Sequence, residues 1–279
     1  MKRREFIKTA AIAAPLVKFF PADLSSVRRK SKKGKIEKRS LGRTGEMLSI
    51  IGFGGIIVRD STTEQASSRV KEAIDIGINY FDVAPSYGNA ESMLGPALQP
   101  YRKNVFLACK TQQRTRSGSL GELEQSLRNL KTDHFDLYQF HAVTTLDDVE
   151  KIFGPDGAAE TFIKAKKDGK VRFLGFSAHS VEAAMAMMGK YDFDTILFPF
   201  NHTTWYAGNF GPQVLEMART KKMGILALKA MAKGPWPSGA DRSKHPKCWY
   251  EPLTDPDDIK LGLRFTLSHP ITAAVTTGD

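Results

Sequence analysis

Cysteine is nearly absent: Cys109 and Cys248 stand far apart among 279 residues, outside any CxxC pair. That excludes a disulfide framework and a thiolate metal or redox motif, and nothing else in the chain matches a metal site. No apolar run approaches the ~20 residues a membrane-spanning helix needs, so no stable membrane span is expected. The part expected to fold also lacks an excess of charge. The formal net charge is +11, but residues 1–40 hold 13 Lys/Arg and 3 Asp/Glu, leaving 28 basic and 27 acidic residues in 41–279. Duplex affinity needs clustered cations on the fold itself, so no nucleic-acid partner is expected. What remains, 41% hydrophobic and 25% charged, is the composition of an ordinary globular protein long enough for one α/β barrel.

The basicity belongs to a tail. Lys2-Arg3-Arg4-Glu5-Phe6-Ile7-Lys8, followed by the weakly apolar Thr9 to Val17, resembles a twin-arginine export signal. The resemblance implies the twin-arginine export machinery as a partner and a periplasmic location, cytoplasmic if the signal is not functional. Pro15 and Lys18 interrupt the apolar stretch, and Phe20-Pro21-Ala22 is a poor cleavage site, so cleavage stays open. A disordered basic N-terminus is the plain alternative. The expected division is a signal-like segment at 1–22, a basic linker at 23–35 and a barrel at 36–279.

From Leu48 onward apolar runs alternate with helical spacing. Strands are expected at Leu48 to Gly55, Asn79 to Val83, Val105 to Lys110, Phe135 to His141, Val171 to Ser177, Thr195 to Phe200, Gly224 to Lys229 and Thr272 to Thr276. Helices are expected at Thr63 to Ile76 with Thr62 or Thr63 as cap, Glu91 to Leu98, Leu120 to Leu130, 158–168, Val181 to Met188, Pro212 to Thr220 and 257–268. Eight such units argue for a (β/α)₈ barrel. Lys35 to Glu46, with the turn Gly42-Arg43-Thr44-Gly45, reads as a small hairpin closing the barrel floor. No helix follows the eighth strand, so the last helix is expected to be missing.

Three successive strands end on chemistry. The second runs into Asp82-Val83-Ala84-Pro85-Ser86-Tyr87-Gly88, the third ends at Lys110, and the fourth at His141. Singly, each residue has an ordinary structural explanation. Together they stand at the C-terminal ends of barrel strands, where such folds keep their sites. A free phenol, pKa ~10, is a sluggish acid, and an ammonium beside Tyr87, such as that of Lys110, is expected to lower that pKa. Alternation along the strand turns Cys109 outward if Lys110 points inward.

These residues, with Ser40 to Gly45, Ile51-Gly52-Phe53-Gly54-Gly55, Gly175-Phe176-Ser177 and Leu267-Ser268-His269-Pro270, resemble the aldo-keto reductase family over nearly all of 36–279. The resemblance implies reduction of a carbonyl, which needs a hydride on carbon and a proton on oxygen, with Asp82, Tyr87, Lys110 and His141 as the catalytic set: Tyr87 gives the proton, Lys110 supplies the charge beside it, Asp82 anchors Lys110 and His141 orients the carbonyl. It implies Gly54, Gly55, Asp82, Ser177, Asn201 and Lys229 as cofactor-binding, and NADP(H) as cofactor with NAD(H) as the alternative. The chain departs from the family in four places. Ser177-Ala178-His179 stands where Ser-Asn is common, Leu197 replaces a Gln, Leu228 replaces a stacking aromatic, and the segment that reads the 2′-phosphate is absent.

The connection from Gly234 to Pro252 is too long for a mere link. With Trp205 and Tyr206 it is expected either to wall the barrel mouth for sugar-like or ring-bearing carbonyls, or to pack on the rim. The main reading is an oxidoreductase acting on a small carbonyl substrate. The alternatives are a cofactor- or sugar-binding barrel with little turnover, and a barrel enzyme using Lys110 as a Schiff-base amine.

Overall fold

In a computed structural model the protein is described over residues 35–276. The signal-like segment and all but the last residue of the linker lie outside the described residues. The floor is a hairpin of β1 (Lys38–Ser40) and β2 (Met47–Ser49), paired antiparallel with Arg39 opposite Leu48. Gly42 makes its turn possible: its φ is +54°, and a Cβ there would lie 2.3 Å from the amide nitrogen of Gly224. The Arg43 guanidinium docks the hairpin on the barrel through the carbonyls of Lys221, Asp192 and Phe193.

The barrel strands are β3 (Ile51–Gly54), β4 (Tyr80–Asp82), β5 (Phe106–Thr111), β6 (Phe135–Val143), β7 (Val171–Ala178), β8 (Thr195–Pro199) and β9 (Gly224–Leu228). The short pair β10 (Ala232–Gly234) and β11 (Glu251–Pro252) stands apart, and β12 (Ala273–Thr276) closes the ring between β9 and β3. All eight barrel strands run parallel. The outer helices are α1 (Thr63–Asp75), α2 (Ala90–Leu98), α3 (Arg116–Asn129), α4 (Leu146–Phe153), α5 (Ala158–Lys167), α6 (Val181–Lys190), α7 (His202–Gly208), α8 (Pro212–Thr220) and α9 (Pro256–Ser268).

Alternation along the strands produces two cores. Tyr80, Phe106, Ala108, Leu137, Leu197, Leu226, Ala273 and Val275 fill the interior above the floor residues Leu41 and Leu48. Phe53, Phe81, Cys109, Tyr138, Phe140 and Phe176 turn outward to the helices. The expected first strand, Leu48 to Gly55, divides at Ile50 into the floor hairpin and β3. The expected stripe on α3 also needs correcting: Leu123, Leu127 and Leu130 are buried, but Leu120 is exposed. Helices α4 and α7 have no counterpart in the sequence reading.

Candidate active site

The C-terminal strand ends surround a cavity of about 500 Å³. Asp82 from β4, Tyr87 from the turn after it, Lys110 from β5 and His141 from β6 all line it. Pro85 to Tyr87 form a 3₁₀ turn with the proline in its first turn, where the missing N–H costs nothing, and this turns Tyr87 inward.

Lys110 and Asp82 form a fully buried ion pair, and Lys110 Nζ also donates to the Val83 carbonyl at 3.2 Å. Burial works against the Lys110 ammonium, but Asp82 and Tyr87 outweigh it and raise its pKa above the ordinary lysine value. The second oxygen of Asp82 accepts from the Tyr80 hydroxyl at 3.2 Å and from Gln139 Nε2 at 3.3 Å. Three strands thus hold one carboxylate. Tyr80 and Gln139 escaped the sequence reading. A polar side chain two residues before Asp82, or two before His141, shares its inward face, and that spacing was the available signal.

Lys110 Nζ lies 5.2 Å from the centre of the Tyr87 ring. Its charge pulls the phenol pKa down, as expected, but burial and Asp82 act the other way and win, so the pKa lies above the ordinary 10. The expectation of a lowered pKa is therefore corrected. Desolvation of the buried Tyr87 ring exceeds the attraction of an ammonium already neutralised by Asp82. His141 sits edge-on to Tyr87, with ring centroids 5.9 Å apart, and Ser86 Oγ lies 3.4 Å from its Nδ1. Burial, with Lys110, His179 and Arg114 nearby, depresses its pKa to about 2, so the imidazole is neutral.

A bulge aims His141. The β6–β7 register shifts between Phe140 and Val143, and Ala142 takes a φ of +53°. Arg114 clamps the bulge by donating to the His141 carbonyl at 2.8 Å, while the Ala142 N–H donates to Ser177 Oγ at 2.8 Å.

Of the residues expected to hold a cofactor, Gly54, Asp82, Ser177 and Lys229 line the cavity. Gly55 does not: it packs against β4, where a Cβ would come within 2.9 Å of Val83 Cβ. Asn201 does not either. It caps α7, its Oδ1 accepting from the Thr204 N–H at 3.0 Å. Lys229 has no carboxylate partner among the described residues. Burial lowers its pKa, and its charge, after burial itself, helps depress the pKa of His179 to about 4.

The long connection does reach the mouth, where Trp249 and Tyr250 join the lining. Trp205 and Tyr206 do not. They pack on Phe265 of α9, with Trp205 also against His269 at 4.5 Å. Cys109 faces outward as expected, its Sγ donating to Glu91 at 3.3 Å.

The family model described as aldo/keto reductase family matches residues 50–252. The uncharacterized oxidoreductase YqkF of Bacillus subtilis is 26% identical over 276 residues, covering 87% of each chain. The aldo-keto reductase YhdN of the same organism is 30% identical over 218 residues, 71% of this chain and 63% of its own length. A solved structure of a putative aldo-keto reductase from Pseudomonas aeruginosa shares the fold at a TM-score of 0.71 and 22% identity, covering 88% of this chain and 91% of that one.

Proposed function

The chain belongs to the aldo/keto reductase family, an NAD(P)H-dependent oxidoreductase by that membership, and we propose that it reduces an aldehyde or ketone with Tyr87 as proton donor. The observation that carries the reading is the convergence of Asp82, Tyr87, Lys110 and His141, from three adjacent strand ends, on one cavity. A nicotinamide cofactor, when bound, supplies the hydride. The residues present fit such a group: Lys229 offers to an anionic dinucleotide a half-buried cation that has no carboxylate partner among the described residues. Ser177, its oxygen already accepting from Ala142, keeps its own proton for a carboxamide. Gly54 and Asp82 line the same cavity and would border the group. The resemblance favours NADP(H), with NAD(H) as the alternative.

The chain's own groups then divide the work. Tyr87, held above the ordinary phenol pKa, is protonated at neutral pH, the form a reduction requires. Lys110 stands ready to stabilise the phenolate left after the proton moves, and Asp82 fixes Lys110 in place. If the Ser86 hydroxyl donates to His141 Nδ1, the ring proton sits on Nε2, where it can orient the carbonyl oxygen.

The test is a fluorescence titration with NADPH and NADH, with turnover of a carbonyl panel, beside Tyr87→Phe. The wild-type protein should bind and turn over, and the variant should bind but lose ~10²–10⁴-fold in kcat. Binding without turnover in either protein would favour the alternative, a barrel that holds a cofactor or sugar without reducing it.

A further inference from the structure

Resting on the reading of Tyr87 as the proton donor, we propose that Trp249 is the specificity-determining wall of the site, and that the substrate is a carbonyl compound bearing a planar apolar ring. The Trp249 ring centre lies 5.4 Å from that of Tyr87, with 50° between the planes. Trp249 lines the cavity yet is 55% exposed, so the residue is not covered by the protein around it. An exposed tryptophan is ordinary on a mobile loop, but this one is tethered on both sides. Lys247 Nζ donates to the Ile57 carbonyl at 2.7 Å, and Arg59 donates to the Pro246 carbonyl at 3.2 Å. The Cys248 carbonyl accepts from the Trp236 indole at 3.0 Å. Beyond Trp249, Glu251 lies in the β10–β11 pair, bound to Lys233 at 2.6 Å. The segment is thus held against the turn carrying Ile56 and Arg59, and the indole has little freedom to leave. An aromatic face fixed beside the reacting group offers stacking area at low entropic cost.

The chemistry of this wall selects among ring-bearing ligands. Ile56 and Tyr250 line the same cavity, with the polar Ser86, Gln112, His179 and Lys229. The wall itself is a flat indole face, and a planar apolar ring stacks across its whole width, whereas the puckered, hydroxylated ring of a sugar offers it only a few C–H groups.

The experiment compares kcat/KM for benzaldehyde and butanal in wild type, Trp249→Ala and Trp249→Phe, with saturation-transfer NMR of benzaldehyde on all three. Trp249→Ala should lower the benzaldehyde-to-butanal ratio about three- to tenfold, and Trp249→Phe should restore most of it. Loss of both activities in equal proportion, or an unchanged ratio, overturns the proposal. The NMR arm separates this idea from the reductase reading. If wild type reduces neither aldehyde but transfers saturation to the ring in a Trp249-dependent way, the wall stands and the reductase reading falls. Transfer that is absent, or equal in wild type and Trp249→Ala, overturns the wall.

Discussion

His141 and His179 carry their burial as a pH dependence. Both folded-state pKa values, about 2 and about 4, lie below the ~6.5 of an unfolded histidine. As pH falls the unfolded chain therefore takes up protons first. The stability tied to each group is complete above pH ~6.5. It is lost between 6.5 and 4 for His179, and on toward 2 for His141, at up to ~1.4 kcal/mol per pH unit for each. Melting curves between pH 7.5 and 4.5 should show wild type losing more stability than His179→Asn. Parallel curves would mean that His179 titrates normally in the fold. At this scale the sequence was most legible where residue type and strand end coincide. Asp82, Tyr87, Lys110 and His141 announced themselves because an apolar strand has no use for a charged or polar terminus. Tyr80 and Gln139 did not, since a tyrosine or glutamine within an apolar run reads equally well as packing. Asn201 caps α7 outside the cavity lining, since an asparagine at a strand end suits a helix cap as well as a ligand.

At the scale of elements, the barrel makes room for its own support. Gly52 lies inside β3, and a Cβ there would stand 2.5 Å from Cδ1 of Tyr80, whose buried ring carries the hydroxyl bound to Asp82. Gly52→Ala should therefore destabilise the protein by ~1–3 kcal/mol through overpacking. A denaturation midpoint equal to that of wild type would show that Tyr80 moves freely aside. Helix α1 was readable to its cap, because Thr62 and Gln65 form a capping box, a local device. Helices α4 and α7 were passed over because they are short, 8 and 7 residues, even though Leu146, Val149, Ile152 and Phe153 give α4 a helical apolar spacing. The first strand was over-extended. Leu48 and Phe53 are both apolar and buried, and only pairing assigns one to the floor and the other to the ring.

At the scale of the whole molecule, the near-neutral barrel and the basic tail pose one question between them, since nicotinamide nucleotides are kept inside cells. We propose that residues 1–22 direct export of the folded chain with its cofactor already bound. In a bacterium with a twin-arginine translocase, the full chain should fractionate to the periplasm and carry nicotinamide nucleotide on purification. Replacing Arg3 and Arg4 together by lysine should hold it in the cytoplasm. Equal fractions for both proteins would sink the signal reading.

The sequence by itself determined the alternation of strand and helix, the barrel class, and which strand ends carry titratable groups. These are local properties: periodicity, capping and residue type are set within a few positions of one another. Only the tertiary structure decided which polar residues face one another across the barrel, that burial outweighs Lys110 at the Tyr87 phenol, and that Trp249 rather than Trp205 walls the cavity. Desolvation and contact depend on what other strands bring to the same point. Ring closure, which joins residues two hundred positions apart, lies outside any local pattern.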